Sequence, residues 1–174
     1  DIAIADIDND GKKDIAIASY NNGRLTVIRN TSSPGYLSFA QRNDFNSGGN
    51  GVRLAVGDID GDGKKDVVVL NYAATANFSY FLNVGSPGNI AFATRADIAL
   101  PSVINQGMEL AMADYDADNK LDVVVMTDTK IHIYRNTSTT GNIQFAAAIS
   151  IDLPGTANGG CIANLSGDAK PDIL

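Results

Sequence analysis

One acidic nine-residue pattern returns along this chain and limits its possible folds more than any other feature. Residues 1–18 read D-I-A-I-A-D-I-D-N-D-G-K-K-D-I-A-I-A. The same plan recurs as R-L-A-V-G-D-I-D-G-D-G-K-K-D-V-V-V-L at 53–70 and E-L-A-M-A-D-Y-D-A-D-N-K-L-D-V-V-V-M at 109–126. A degraded copy, C-I-A-N-L-S-G-D-A-K-P-D-I-L, occupies 161–174. The loops begin at Asp6, Asp58, Asp114 and Asn164, which sets periods of 52, 56 and 50 residues. A period of this size marks an architecture of stacked units, each burying a hydrophobic face against its neighbour.

Between the acidic patterns lie further apolar-alternating runs, at 24–30 and 37–45, 77–83 and 90–98, and 131–136 and 143–151. They are punctuated by turn residues such as Ser33-Pro34-Gly35, Ser86-Pro87-Gly88 and Gly141-Asn142, so they read as strands joined by tight turns. Each period then holds four short antiparallel strands, the size of one propeller blade. The expected fold is all-β, with repeats at about 1–52, 53–108 and 109–158 and a partial fourth at 159–174. Propellers close with about 4 to 8 blades, so three periods and a fragment predict part of a longer protein or assembly with other copies.

In the first loop Asp6, Asp8, Asp10 and Asp14 fall at positions one, three, five and nine, with Gly11 at six. Four carboxylates in nine residues repel one another unless a cation neutralises them. Hard oxygen donors in that number suit Ca2+ better than Mg2+, which keeps its waters, or zinc, which takes nitrogen and sulfur. The loop resembles that of an EF-hand, in which position seven ligates through its backbone carbonyl; here that residue is Lys12, Lys64 or Lys120, with the side chain expected to point away. An EF-hand also needs a glutamate at position twelve and a following helix. Position twelve is Ile17, Val69 or Val125, and the β-branched runs that follow favour a strand. The loop therefore closes a β-hairpin, with the last aspartate opening the second strand.

These residues resemble the FG-GAP or VCBS repeat family, related to the calcium-binding blades of integrin α-subunit propellers, and the resemblance covers the whole chain. It implies calcium ligation by Asp6, Asp8, Asp10, Lys12 and Asp14; by Asp58, Asp60, Asp62, Lys64 and Asp66; and by Asp114, Asp116, Asp118, Lys120 and Asp122. The third loop has Asn119 where glycine is expected, a substitution that asparagine's access to left-handed backbone permits. The fourth offers only Asn164, Ser166, Asp168 and Asp172, with Ala169 at the turn and Pro171 before the last ligand, a poorer site in both charge and geometry.

Charge fits the same picture. The formal net charge is −7, and 14 of the 20 acidic residues stand at loop ligand positions. This balance argues against nucleic acid or an anionic membrane surface as partner, and no apolar run approaches the ~20 residues that span a bilayer. The lone Cys161 can form no intrachain disulfide and reads as a small apolar residue. His132, in I-H-I-Y, reads as a sheet-surface residue without a catalytic partner. Glu109 reads as an exposed strand residue, and Tyr20 and Tyr72 as packing between repeats. Asn30, Asn77, Asn136 and Asn164 fit the N-glycosylation pattern, though repetition suffices to explain Asn30 and Asn136.

The expected function is a calcium-stabilised, non-enzymatic repeat module of a secreted or cell-surface protein. Its expected roles are adhesion, binding of an extracellular protein or glycan, or self-assembly through exposed sheet edges. The resemblance leaves two alternatives, a lectin-like propeller and the propeller part of a polysaccharide-degrading enzyme.

Overall fold

The protein's structure, a computed structural model, describes residues 1–72, 76–101, 109–157, 160, 162–163 and 171–173. The described residues hold strands and turns and no helix. The first repeat forms a four-stranded antiparallel sheet in sequence order: β1 (Ile2–Ala5), β2 (Asp14–Ser19), β3 (Arg24–Ile28) and β4 (Asn43–Asn46). The second repeats the plan with β5 (Asn50–Gly57), β6 (Asp66–Tyr72), β7 (Asn77–Phe81) and β8 (Ala96–Ala99). The third does so with β9 (Glu109–Ala113), β10 (Asp122–Met126), β11 (Lys130–Tyr134) and β12 (Ile149–Asp152). A last hairpin pairs β13 (Ile162–Ala163) with β14 (Asp172–Ile173). These are the four-stranded antiparallel blades of a propeller repeat.

Register is the same in every copy. The residue before the loop faces the loop's last aspartate, as Ala5 does Asp14, Gly57 Asp66, Ala113 Asp122 and Ala163 Asp172. The acidic loop thus caps a hairpin each time. The fourth strand differs from its expected span. The apolar runs at 37–45, 90–98 and 143–151 become strand only near their ends, at 43–46, 96–99 and 149–152. Their aromatic residues Phe39, Phe92 and Phe145 instead make single bridges to Asn30, Asn83 and Asn136. The tight turns at Ser33–Tyr36, Ser86–Asn89 and Thr139–Asn142, closed by paired backbone hydrogen bonds, fold each segment back on the end of the third strand before regular pairing begins.

The chain divides into two compact units, one of residues 1–57 and 63–100, the other of 58–62 and 101–174. In the first, the sheets of repeats one and two bury a common core of Ile7, Ala16, Ala18, Leu25, Val27, Leu54, Val67, Val69, Phe81 and Ile90. Alternation decides which residues enter it, because successive strand side chains point to opposite faces. Ala16 and Ala18 supply one side and Val67 and Val69 the other. Gly51 sits where a Cβ would lie 3.1 Å from Val69 Cγ1 and 3.2 Å from Ala18 Cβ, so a larger residue there would press on both sheets. Phe92 stands edge-on to Phe45, with ring centroids 5.0 Å apart, and adds the aromatic part of the contact. Tyr20 and Tyr72 meet at 6.1 Å, as their packing role required.

In the second unit Val124, Met126 and Ile131 form a core with Tyr115, Ile133, Leu153 and Ala157. His132 is buried and its Nδ1 lies 2.8 Å from Ser150 Oγ, not at the sheet surface. It lies in β11 between β10 and β12, and the β11–β12 register sets it opposite Ser150.

Candidate metal centres

Each acidic loop folds through its own backbone. Asp6 accepts the Asp10 and Gly11 N–H groups at 3.1 and 2.9 Å, Asp8 accepts Asp10 N–H at 3.1 Å, and Asp10 accepts Lys12 N–H at 2.9 Å. These side-chain turns are the local preference of aspartate, competing with extended structure. The third loop copies them with Asp114, Asp116, Asp118, Asn119 and Lys120. In the second loop, Gly61 N–H is held by Asp58 at 2.8 Å and Asp62 N–H by Asp60 at 3.1 Å.

The result is convergence of carboxylates. Oxygens of Asp6, Asp8 and Asp10 lie within 4.8 Å of one another, as do those of Asp58, Asp60 and Asp62 and those of Asp114, Asp116 and Asp122. The donors are all hard oxygens, without imidazole or thiolate, which fits Ca2+ among biological cations. Position six is left-handed in all three loops, at φ 88° for Gly11, 88° for Gly63 and 65° for Asn119. Position four is left-handed too, at Asn9 (57°), Gly61 (77°) and Ala117 (62°). The second turn was missed in the sequence because glycine occupies it in only one copy.

The last aspartate of each loop also braces the backbone. Asp14 is fully buried; one oxygen accepts Ile7 N–H at 2.9 Å and the other Asn30 N–H at 2.8 Å. Asp122 does the same with Tyr115 and Asn136, at 3.0 and 2.8 Å, and Asp66 accepts Asn83 N–H at 2.8 Å. These carboxylates pin the loop's second residue and the end of the third strand. Lys12 does not point away as expected: its Nζ stays 3.6 Å from Asp10 Oδ2. Lys120 Nζ donates to the Ser138 carbonyl, outside its own loop, at 2.7 Å. Asn164, Ser166 and Asp168, like Cys161, lie outside the described residues; Asp172 opens β14.

Between repeats, an asparagine and a glycine lock the next sheet onto the loop. Asn83 Nδ2 donates to the Ile7 carbonyl of loop one at 2.7 Å and to its own Lys65 carbonyl at 2.9 Å, and Gly88 N–H donates to Asp8 Oδ2 at 3.0 Å. Asn136 binds the Ile59 and Leu121 carbonyls at 2.8 and 3.0 Å, and Gly141 N–H donates to Asp60 Oδ2. Asn136 is therefore buried and occupied by structure, which fits the repeat explanation of its glycosylation pattern.

A repeating sheet whose hairpin tip gathers three aspartates is the feature that decides family, and comparison of the sequence agrees with it. A family model described as FG-GAP-like repeat matches residues 6–69, 61–125 and 114–174. The chain belongs to the FG-GAP-like repeat family. Over 78 residues, 40% of its length, it is also 33% identical to cartilage acidic protein 1 of Xenopus tropicalis. That match spans 12% of the relative, so the chain corresponds to a small part of the larger protein.

Electrostatics differ among the FG-GAP-like loops. Burial pushes the Asp8 carboxyl above its ordinary 3.8, and the Asp14 charge adds to the rise. Burial raises Asp122 as well. Asp116 goes the other way, because the hydrogen bond from Arg135 holds it below 3.8. Arg135 bridges Asp116 and Asp118 and so takes part of the neutralising role in loop three. Arg29 stands near Asp8 and Asp10 in loop one, at 3.9 and 3.8 Å, too far for close pairing. Tyr115, beside Asp122, has its hydroxyl pushed up to about 12 by burial and by that charge.

Proposed function

We propose that this FG-GAP-like chain is a calcium-stabilised scaffold in a secreted or surface-displayed protein, presenting its turns to an extracellular protein or glycan rather than catalysing a reaction. The observation that carries this reading is the gathering of three carboxylates within 4.8 Å at each of three hairpin tips. Asp6, Asp8 and Asp10, Asp58, Asp60 and Asp62, and Asp114, Asp116 and Asp122 would hold the ions, with the Lys12, Lys64 and Lys120 carbonyls as further donors. Calcium supplies positive charge that removes the mutual repulsion of these groups. Three ions would add six charges to the net −7 and leave about −1.

Because the tips also bond Gly88 through Asp8 and Gly141 through Asp60, fixing them holds those contacts. Binding free energy becomes folding free energy by linkage. Extracellular modules bind calcium at roughly 0.1 to 1 mM, a level available outside cells. Similarity to a cartilage protein supports an extracellular setting.

Calorimetric titration of the chelator-stripped chain with calcium, paired with thermal melts, tests the proposal. About three sites and a rise in Tm are expected; no binding and an unmoved Tm would leave the loops as ordinary acidic turns.

A further inference from the structure

The residue that follows the third strand differs among the repeats. It is Arg29 in the first, Leu82 in the second and Arg135 in the third, each just ahead of the asparagine that bridges to the aromatic residue. Arg135 closes on its own acidic loop: its Nε donates to Asp116 Oδ2, and its Nη2 donates to Asp118 Oδ2 at 3.0 Å. The other oxygen of each carboxylate is taken by loop backbone. Asp116 Oδ1 accepts the Asp118 N–H at 3.3 Å, and Asp118 Oδ1 accepts the Lys120 N–H at 3.0 Å. Arg135 thus holds the two oxygens that the loop's own turns leave over.

Loop one carries the same arginine without the same closure. Arg29 approaches the equivalent oxygens, Asp8 Oδ2 and Asp10 Oδ2, but stops at 3.9 and 3.8 Å. Asp8 Oδ2 there accepts the Gly88 N–H instead, at 3.0 Å. The converging oxygens differ in parallel. They come from positions one, three and five in loops one and two, but from positions one, three and nine in loop three, where position five is Asp118. The altered donor set therefore coincides with the grip of Arg135 on Asp118. A planar guanidinium fork can engage two carboxylate oxygens at once, which a point charge cannot do with the same direction.

We propose that Arg135 is a built-in counter-ion of loop three, which calcium must displace to bind there, and that it sets the affinity of this site below what the aspartates alone would give. The proposal rests on the calcium reading of the loops. In the empty loop the guanidinium cancels part of the repulsion among Asp114, Asp116, Asp118 and Asp122, and so holds the tip in shape. Calcium needs the Asp116 carboxylate that Arg135 occupies, and two cations at one carboxylate repel each other. The apparent affinity then falls in proportion to the fraction of molecules in which the arginine has moved away. Arg135 leaves at small cost, because its side chain is 52% exposed and swings into water. Exposed ion pairs of this kind shift an equilibrium by only a few-fold, so Arg135 tunes the site and does not abolish it.

Calcium titration of the whole chain, followed by NMR at the amides of Asn119 and Lys120 for loop three and of Gly11 for loop one, tests this in the unmodified protein and in Arg135→Leu. Leucine is the residue that the second repeat carries at this position, so the sheet plan accommodates it. Arg135→Gln repeats the comparison with a polar side chain. Calcium affinity at loop three should rise by about threefold in both variants, while Gly11 reports an unchanged affinity at loop one. In chelator the Asp118 and Asn119 amides should exchange about threefold faster in the variants, because the empty loop has lost its counter-ion. The sign separates this role from plain structural support, since loss of a mere brace weakens calcium binding. Affinity at loop three that is unchanged or weaker in the variants, or exchange in chelator that is unchanged, overturns the proposal and leaves the calcium reading standing. Absence of calcium binding at every loop of the unmodified chain overturns both.

Discussion

Individual side chains in these loops serve two demands, acidity for a cation and hydrogen bonding for the backbone. Ala117 pays for the second, since a left-handed alanine costs about 1 kcal/mol that glycine avoids. Ala117→Gly is expected to stabilise the chain by roughly 0.5–1 kcal/mol in urea unfolding, without loss of calcium binding. Asn83 works in the opposite sense. Its replacement by alanine strands the Ile7 and Lys65 carbonyls, and a loss of about 2–3 kcal/mol is expected by the same measurement.

Protonation acts at this scale as well. Asp8 and Asp122 have folded pKa values raised above 3.8, so the folded chain takes up their protons more readily than the unfolded one. In chelator, they add stability as pH falls from neutral through their raised values towards 3.8. Asp44, held low by its hydrogen bond from Thr26, and Asp116, held low by Arg135, contribute above 3.8 and lose that contribution only below it. Calcium requires ionised ligands, so the calcium-dependent rise in Tm should shrink with acidification. Melts across neutral and mildly acid pH, with calcium and with chelator, read both effects.

At the level of the strand, alternation tells which face is buried but not whether the other face is covered too. β2 alternates between buried and half-buried residues, whereas β6 is buried from Asp66 to Asn71. Both were legible as strands because their β-branched runs follow a loop that can only end a hairpin. The fourth strands were less legible. Leu37–Phe39 has the alternation of a strand but is turned back by the Ser33–Tyr36 turn, and pairing starts only at Asn43. Burial separates the two kinds of apolar residue in mutagenesis. Phe78→Ala in β7, a fully buried ring, should cost about 3–5 kcal/mol, while Tyr36→Ser, at an exposed turn, should stay within about 0.5 kcal/mol.

For the molecule as a whole, the repeats share one device, a hairpin tip that both gathers carboxylates and seats the next sheet. Removing calcium should therefore loosen more than the loops. The Gly88 amide, bonded to Asp8 of loop one, should exchange faster in chelator, and Asp6→Ala should reproduce that effect at loop one while sparing loop three. An effect confined to the mutated loop's own amides would separate metal binding from stacking.

The sequence by itself determined the repeat, its period, the strand hairpins and the acidic tips, because each rests on local spacing and on the intrinsic turn preference of aspartate and glycine. Tertiary structure decided what spacing could not express. The clasp by Asn83 and Asn136 reaches back more than one full repeat, to Ile7 and Ile59. Asp14 and Asp122 brace backbone because folding brings the third strand's end against them. His132 meets Ser150 because the register of β11 against β12 sets them opposite one another. Such roles depend on which surfaces meet, and a residue's neighbours in space are set only when the sheets pack.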